Sequence, residues 1–118
     1  VKSVHYSKIL QNNPEERHLF AQYKSFFYRL PGSRKLRATL MSRFANGGEL
    51  KKHLRLLYPV EQRNYARDLV KAGTIMEREG LIHRDLKPAN LLVSNGKIMV
   101  SDYGLMTEVR RLENDPYF

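Results

Sequence analysis

From Val1 to Gln11 the apolar residues Val1, Val4, Ile9 and Leu10 fall among polar ones in a weak helical pattern with no capping residue before it. The pattern opens in mid-element, and on that ground the chain is expected to be a fragment of a larger fold. Asn12, Asn13 and Pro14 signal a turn, after which Leu19 to Leu30 is rich in Phe and Tyr, as strands tend to be. Pro31, Gly32 and Ser33 break that run, and Leu36 to Phe44 is predicted to return along it as the second strand of a hairpin. A helix over Glu15 to Tyr28 is an open alternative.

The next breaker is Asn46, Gly47 and Gly48. Beyond it Leu50, Leu54 and Leu57 recur at helical spacing, so Glu49 to Leu57 is predicted as a short helix with Glu49 favourably placed in its first turn. Tyr58 and Pro59 end it. From Val60 to Glu79, Tyr65, Leu69, Val70, Gly73 and Met76 recur every three or four residues and mark the longest amphipathic helix, with Gly80 where a C-cap belongs. The pattern then changes to short apolar runs: Leu81 and Ile82, Leu91 to Val93, Ile98 to Val100. The last two are separated by a stretch containing Asn95 and Gly96, a strong hairpin signal. No repeat or low-complexity segment interrupts the chain.

Composition narrows the class. The 118 residues suffice for one compact domain, and 42% apolar with 28% charged residues is an ordinary globular balance. With 21 Lys and Arg against 12 Asp and Glu the net charge is +9, which favours anionic partners. The basic residues are scattered over the chain and match no nucleic-acid recognition signature, so no specific nucleic acid is expected as a partner. With no cysteine there is no disulfide, thiolate metal site or cysteine nucleophile. No signal-peptide core or membrane-length apolar run is present, so no membrane partner is expected and a soluble, cytoplasmic setting is the simplest expectation.

The chemistry is concentrated in HRDLKPANLLV, His83 to Val93, and in the triplet Asp102, Tyr103, Gly104 that follows the hairpin. Together they resemble the catalytic loop and metal-binding triplet of eukaryotic-type Ser/Thr protein kinases. Transfer of a γ-phosphoryl group needs a positioned nucleophile and neutralised phosphate charge more than covalent help. Asp85 and Asn90 lie five apart on a loop pinned by Pro88, and Asp102 brings a second carboxylate on the neighbouring strand end. Such oxygen donors suit Mg²⁺, and Lys87 supplies compensating positive charge. By the resemblance, Asp85 looks like the catalytic base, Asn90 and Asp102 like the magnesium ligands, and Lys87 like the lysine of the Ser/Thr-specific subfamily. Arg84 resembles the arginine that grips a phosphorylated activation loop, and His83 the histidine packed under the triplet's aromatic residue. Tyr103 stands where that residue is usually Phe. Thr107 and Tyr117 are read as ordinary loop residues.

Upstream, LMSRFANGGEL resembles a kinase hinge. Ser42 then falls at the gatekeeper position, backbone groups of Arg43 and Ala45 would meet the adenine edge, Glu49 would approach the ribose or a basic substrate residue, and Leu92 would pack beneath the adenine. HYSKIL can be laid over the regulatory helix, which puts Tyr6 where the family has its ion-pairing Glu; alternatively Val1 and Lys2 end the strand bearing the ATP-binding Lys, with Glu15 or Glu16 as partner. The resemblance implies an α+β, protein-kinase-like two-lobed fold, truncated: residues 1–42 an N-lobe remnant, 43–48 the hinge, 49–118 the C-lobe through the start of the activation loop. It implies ATP and Mg²⁺ as cofactors and a protein substrate with a Ser or Thr hydroxyl. No Gly-rich phosphate loop is present and the resemblance covers less than half of a kinase domain, so the chain alone is expected to be inactive, and to be marginally stable or to self-associate through exposed apolar surface. The rival reading is a pseudokinase-like binding or scaffolding module.

Overall fold

The last apolar runs of the sequence form the centre of the molecule. A computed structural model describes residues 2–12, 14, 16–114 and 116, so expectations that involve Val1, Glu15 and Tyr117 lie outside the described residues. Strands β5 (Leu91–Ser94) and β6 (Lys97–Val100) pair antiparallel, with Ser94 opposite Lys97. The link is the two residues Asn95 and Gly96, at φ +52° and +73°. Positive φ at both central positions matches the right-handed twist of the strands, and Asn and Gly bear it at least cost. Ile98, Met99 and Val100 are buried, each side chain worth about 1.5–3 kcal/mol of apolar burial.

Other elements pack on this hairpin. Strand β3 (Gly48–Glu49) extends it on the β5 side, with Glu49 opposite Leu92. Helix α2 (Pro59–Arg78) starts with Pro at its first position, where a missing N–H costs nothing, and the Glu61 carboxylate accepts from Tyr58 N–H at 3.1 Å. Its buried face is Tyr65, Ala72, Ile75 and Met76. Val70 and Gly73, placed on that face by the spacing argument, point to solvent instead; Val70 is 70% exposed. The Asp68 carboxylate accepts from Ile98 N–H at 3.0 Å and so ties α2 to β6. Gly80 ends the helix at φ +68°, as its C-cap role requires.

Helix α1 (Lys2–Leu10) turns Tyr6, Ser7 and Leu10 inward. Lys2 is therefore helical, which removes the alternative that it ends a strand. The stretch Glu16 to Tyr28 is not a helix: a single 3₁₀ turn at Arg17–Leu19 leads to β1 (Lys24–Tyr28), which pairs with β2 (Arg37–Met41). The predicted helix Glu49–Leu57 is corrected to one 3₁₀ turn, Leu50–Lys52. Glu49 is already committed to β3, Leu50 is buried, and Leu54 and Leu56 have nothing to cover them; Leu56 is 81% exposed. Short strands β4 (Leu81–Ile82) and β7 (Thr107–Glu108) pair antiparallel, and α3 (Val109–Glu113) follows. The result is a mixed α+β architecture of small antiparallel sheets and helices.

Candidate active site

The loop between β4 and β5 is held by a buried histidine. His83 Nε2 lies 2.8 Å from the Ser101 carbonyl oxygen, and its Nδ1 accepts from Asp85 N–H at 3.1 Å. Those contacts require the proton on Nε2. The imidazole thereby joins the loop to the end of β6 and sets the direction in which Asp85 leaves the backbone. Arg84, between them, is held at φ +67°, and its Nε donates to the Leu105 carbonyl at 2.7 Å.

Pro88 opens a 3₁₀ turn, Pro88–Asn90, that folds Asn90 back over Asp85. The Asn90 amide nitrogen donates to both the Asp85 carbonyl (3.0 Å) and its Oδ2 (2.9 Å). Lys87 Nζ sits 3.6 Å from Asp85 Oδ1. Asp85, Lys87 and Asn90 are thus one cluster. Since the amide nitrogen faces Asp85, the Asn90 amide oxygen faces away from it. Ser101 N–H (3.0 Å) and Ser101 Oγ (2.8 Å) both donate to the Asn90 carbonyl, which fixes the turn to the residue preceding Asp102.

Asp102 is exposed, at φ +59°. Its Oδ1 accepts from Gly104 N–H at 3.2 Å and its own N–H donates to the Tyr23 phenolic oxygen at 3.1 Å. Tyr103 is 1% exposed and fills the space behind. Its hydroxyl donates to the Ala21 carbonyl, and its ring meets Tyr23 (5.1 Å) and His83 (6.3 Å) edge-on. Burial pushes its phenol far above the ordinary tyrosine range, with Tyr23 adding to the shift. Lys2 Nζ donates to the Gly104 carbonyl at 3.1 Å and lies 5.9 Å from the centre of the buried Tyr6 ring. Glu16, the other proposed lysine partner, pairs instead with Arg78 at 3.0 Å, and that hydrogen bond raises the arginine's pKa. Thr107 is buried in β7.

The remaining predicted residues divide. Glu49 and Leu92 face each other across β3 and β5. Ala45 is buried, its carbonyl accepting from Gly48 N–H at 3.1 Å. Arg43 is exposed and lines a 440 Å³ cavity with Arg17, His18, Gln22, Lys97 and Met99, to which Asp85, Asn90 and Asp102 do not contribute. No group of three His, Cys, Asp or Glu side chains that could hold a metal occurs among the described residues. Two oxygen donors nevertheless fit Mg²⁺, which is ordinarily bound by one or two protein oxygens with phosphates and waters completing the octahedron. Tyr23 and Ser101 were not legible as site residues; Ser101 carried a weak signal by adjoining Asp102, and Tyr23 carried none.

The sequence has counterparts among known proteins. The model of the protein kinase domain matches residues 7–117. The chain belongs to the protein kinase family. It is similar to the putative CBL-interacting protein kinase 13 of Oryza sativa subsp. japonica, 36% identical over 87 residues, covering 71% of this chain and 17% of that protein. It is 46% identical over 66 residues to the CBL-interacting serine/threonine-protein kinase 24 of Arabidopsis thaliana, covering 52% of this chain and 15% of that one. With the serine/threonine-protein kinase ppk31 of Schizosaccharomyces pombe it shares 35% identity over 74 residues, 59% of this chain and 7% of the relative. The chain spans less than a fifth of the length of each. Two of these relatives are named as serine/threonine-protein kinases. Among the described residues no helix is long and apolar enough to cross a membrane.

Proposed function

We propose that this chain carries the catalytic segment of a protein kinase that transfers the γ-phosphoryl group of ATP, with Mg²⁺, to a Ser or Thr hydroxyl of a protein. The observation that carries the reading is the bidentate hold of Asn90 on Asp85 with Lys87 alongside. With the Asp85 carboxylate fixed by Asn90 and Lys87, it would be available to accept a proton from a substrate hydroxyl, and the Asn90 amide oxygen would be available to a metal. In this reading Asp85 accepts the hydroxyl proton as the nucleophile attacks, Lys87 offsets charge gathering on the phosphate, and Asn90 and Asp102 hold the metal. Bound Mg²⁺ would supply charge neutralisation along the phosphates. Residues 43–48 act as the hinge between a smaller part, 1–42, and a larger one, 49–118. Backbone groups of Arg43 and Ala45 meet the adenine edge, Leu92 lies beneath it, and Glu49 approaches the ribose or a basic substrate residue.

Asp85→Asn in a full-length parent is expected to lower transfer at least about 10²-fold, the lower range of general-base assistance, while nucleotide binding persists. Retained turnover would remove Asp85 from the role of base. For the chain itself, calorimetric titration with ATP and Mg²⁺ should show saturable binding that Asp102→Ala abolishes.

One observation favours a second reading, a scaffolding module that keeps the fold without catalysis. Helix α1, KSVHYSKIL, contains no carboxylate, and the buried Tyr6 occupies the place the resemblance gives to an ion-pairing Glu. ATP binding without transfer by the full-length parent would select it.

A further inference from the structure

Asp102 sits in a backbone region that few residues other than glycine occupy. Two hydrogen bonds keep it there. The Gly104 N–H to its Oδ1 is a local turn contact of the kind aspartate makes readily. The second comes from far along the sequence: Asp102 N–H donates to the phenolic oxygen of Tyr23. Tyr23 is itself well placed to hold a fixed direction. Its ring stands edge-on against Tyr103 at 5.1 Å and 88°, and its own N–H donates to Ser7 Oγ at 2.9 Å.

Resting on the reading of Asp102 as a metal ligand, we propose that Tyr23 is a positioning residue for that carboxylate, acting through its phenolic oxygen. The peptide plane at Asp102 determines where Cβ, and with it the carboxylate, points. At positive φ that plane has a nearby, less strained alternative, and the Tyr23 oxygen opposes the change by accepting from the one N–H that would swing away. The ring and the hydroxyl have separable jobs. The ring fills space beside Tyr103, which a phenylalanine does equally well, whereas only the hydroxyl holds Asp102 N–H. The expected signature of losing the hydroxyl is therefore a carboxylate that binds metal less well on an otherwise unchanged scaffold.

The test compares wild type, Tyr23→Phe and Asp102→Ala. In the ligand-free, ¹⁵N-labelled wild type, Asp102 N–H is expected to exchange at least about fivefold more slowly than an unstructured amide. Free exchange there overturns the inference without any variant. In Tyr23→Phe that protection should disappear while Ser101 N–H, bonded to the Asn90 carbonyl, keeps its own. In ATP titrations Tyr23→Phe should need about threefold to tenfold more Mg²⁺ for half-saturation, with metal-free ATP affinity unchanged. Equal protection at Asp102 or an unchanged Mg²⁺ requirement overturns the inference. If Asp102→Ala binds ATP with the wild type's dependence on Mg²⁺, the metal-ligand reading has failed. If Asp102→Ala loses that dependence and Tyr23→Phe keeps it, the inference alone has failed.

Discussion

Tyr103 differs from phenylalanine by one hydroxyl, and that hydroxyl has partners in the Ala21 and Val100 carbonyls, the latter at 3.4 Å. Tyr103→Phe leaves the ring contacts intact and removes the Ala21 carbonyl's donor. The expected cost is about 1 kcal/mol in urea unfolding. Its pH dependence has a definite sign. The folded phenol titrates above the ordinary value of 10.0, so the wild type's advantage is complete below that pH and declines as pH rises through and beyond it. A stability difference that stayed constant into the alkaline range would contradict the burial argument. At this scale the sequence was most informative where chemistry is local. Asp85, Lys87 and Asn90 lie within six positions, so their clustering could be read from the string, whereas the partnership of Tyr23 with Asp102 crosses 79 positions and leaves no trace in it.

Among the elements, the β5–β6 hairpin and helix α2 were legible because each carries its own signal: an Asn-Gly pair between apolar runs, and a long apolar stripe closed by Gly80. Strands β3 and β7 were not, and β4 showed only as the apolar pair Leu81 and Ile82. Each has two residues, too few for a period, and each exists because a distant partner supplies its hydrogen bonds. The helix expected over Glu49–Leu57 failed for the same reason, since β3 pairing claimed its first residue. Gly47 shows how tight that junction is. Its N–H donates to the Val93 carbonyl at 2.8 Å, and a Cβ there would lie 2.8 Å from the same carbonyl oxygen and from Val93 Cβ. Backbone cannot yield as a flexible side chain can, so Gly47→Ala should destabilise by about 1–3 kcal/mol and loosen β3 from β5. An unchanged urea midpoint would show that the junction relaxes freely.

For the whole molecule, the radius of gyration of 16.3 Å exceeds the roughly 13 Å of a compact chain of this length. Hairpin β1–β2 contributes to the difference: among the described residues its strands pair only with each other, and Phe26, Phe27, Leu36, Leu40 and Met41 are all exposed on it or beside it. Isolated two-stranded sheets with apolar faces and open edges associate readily. The chain is expected to rise in weight-average mass with concentration in sedimentation equilibrium, and replacing Phe27 and Leu36 together by Ser should shift it toward monomer. Monomeric behaviour of the wild type at all concentrations would refute this.

The contacts around the triplet carry a consequence for how the chain folds. Lys2 meets Gly104, Tyr23 meets Asp102, and Tyr103 meets Ala21, closing spans of 102, 79 and 82 positions. Closing such spans has an entropic cost that no neighbouring contact offsets in advance. The α2 helix and the β5–β6 hairpin can form from local contacts, but during synthesis Lys2, Ala21 and Tyr23 cannot make these bonds until the triplet has emerged. The backbone that directs the Asp102 carboxylate is accordingly among the last parts of the described chain to be set.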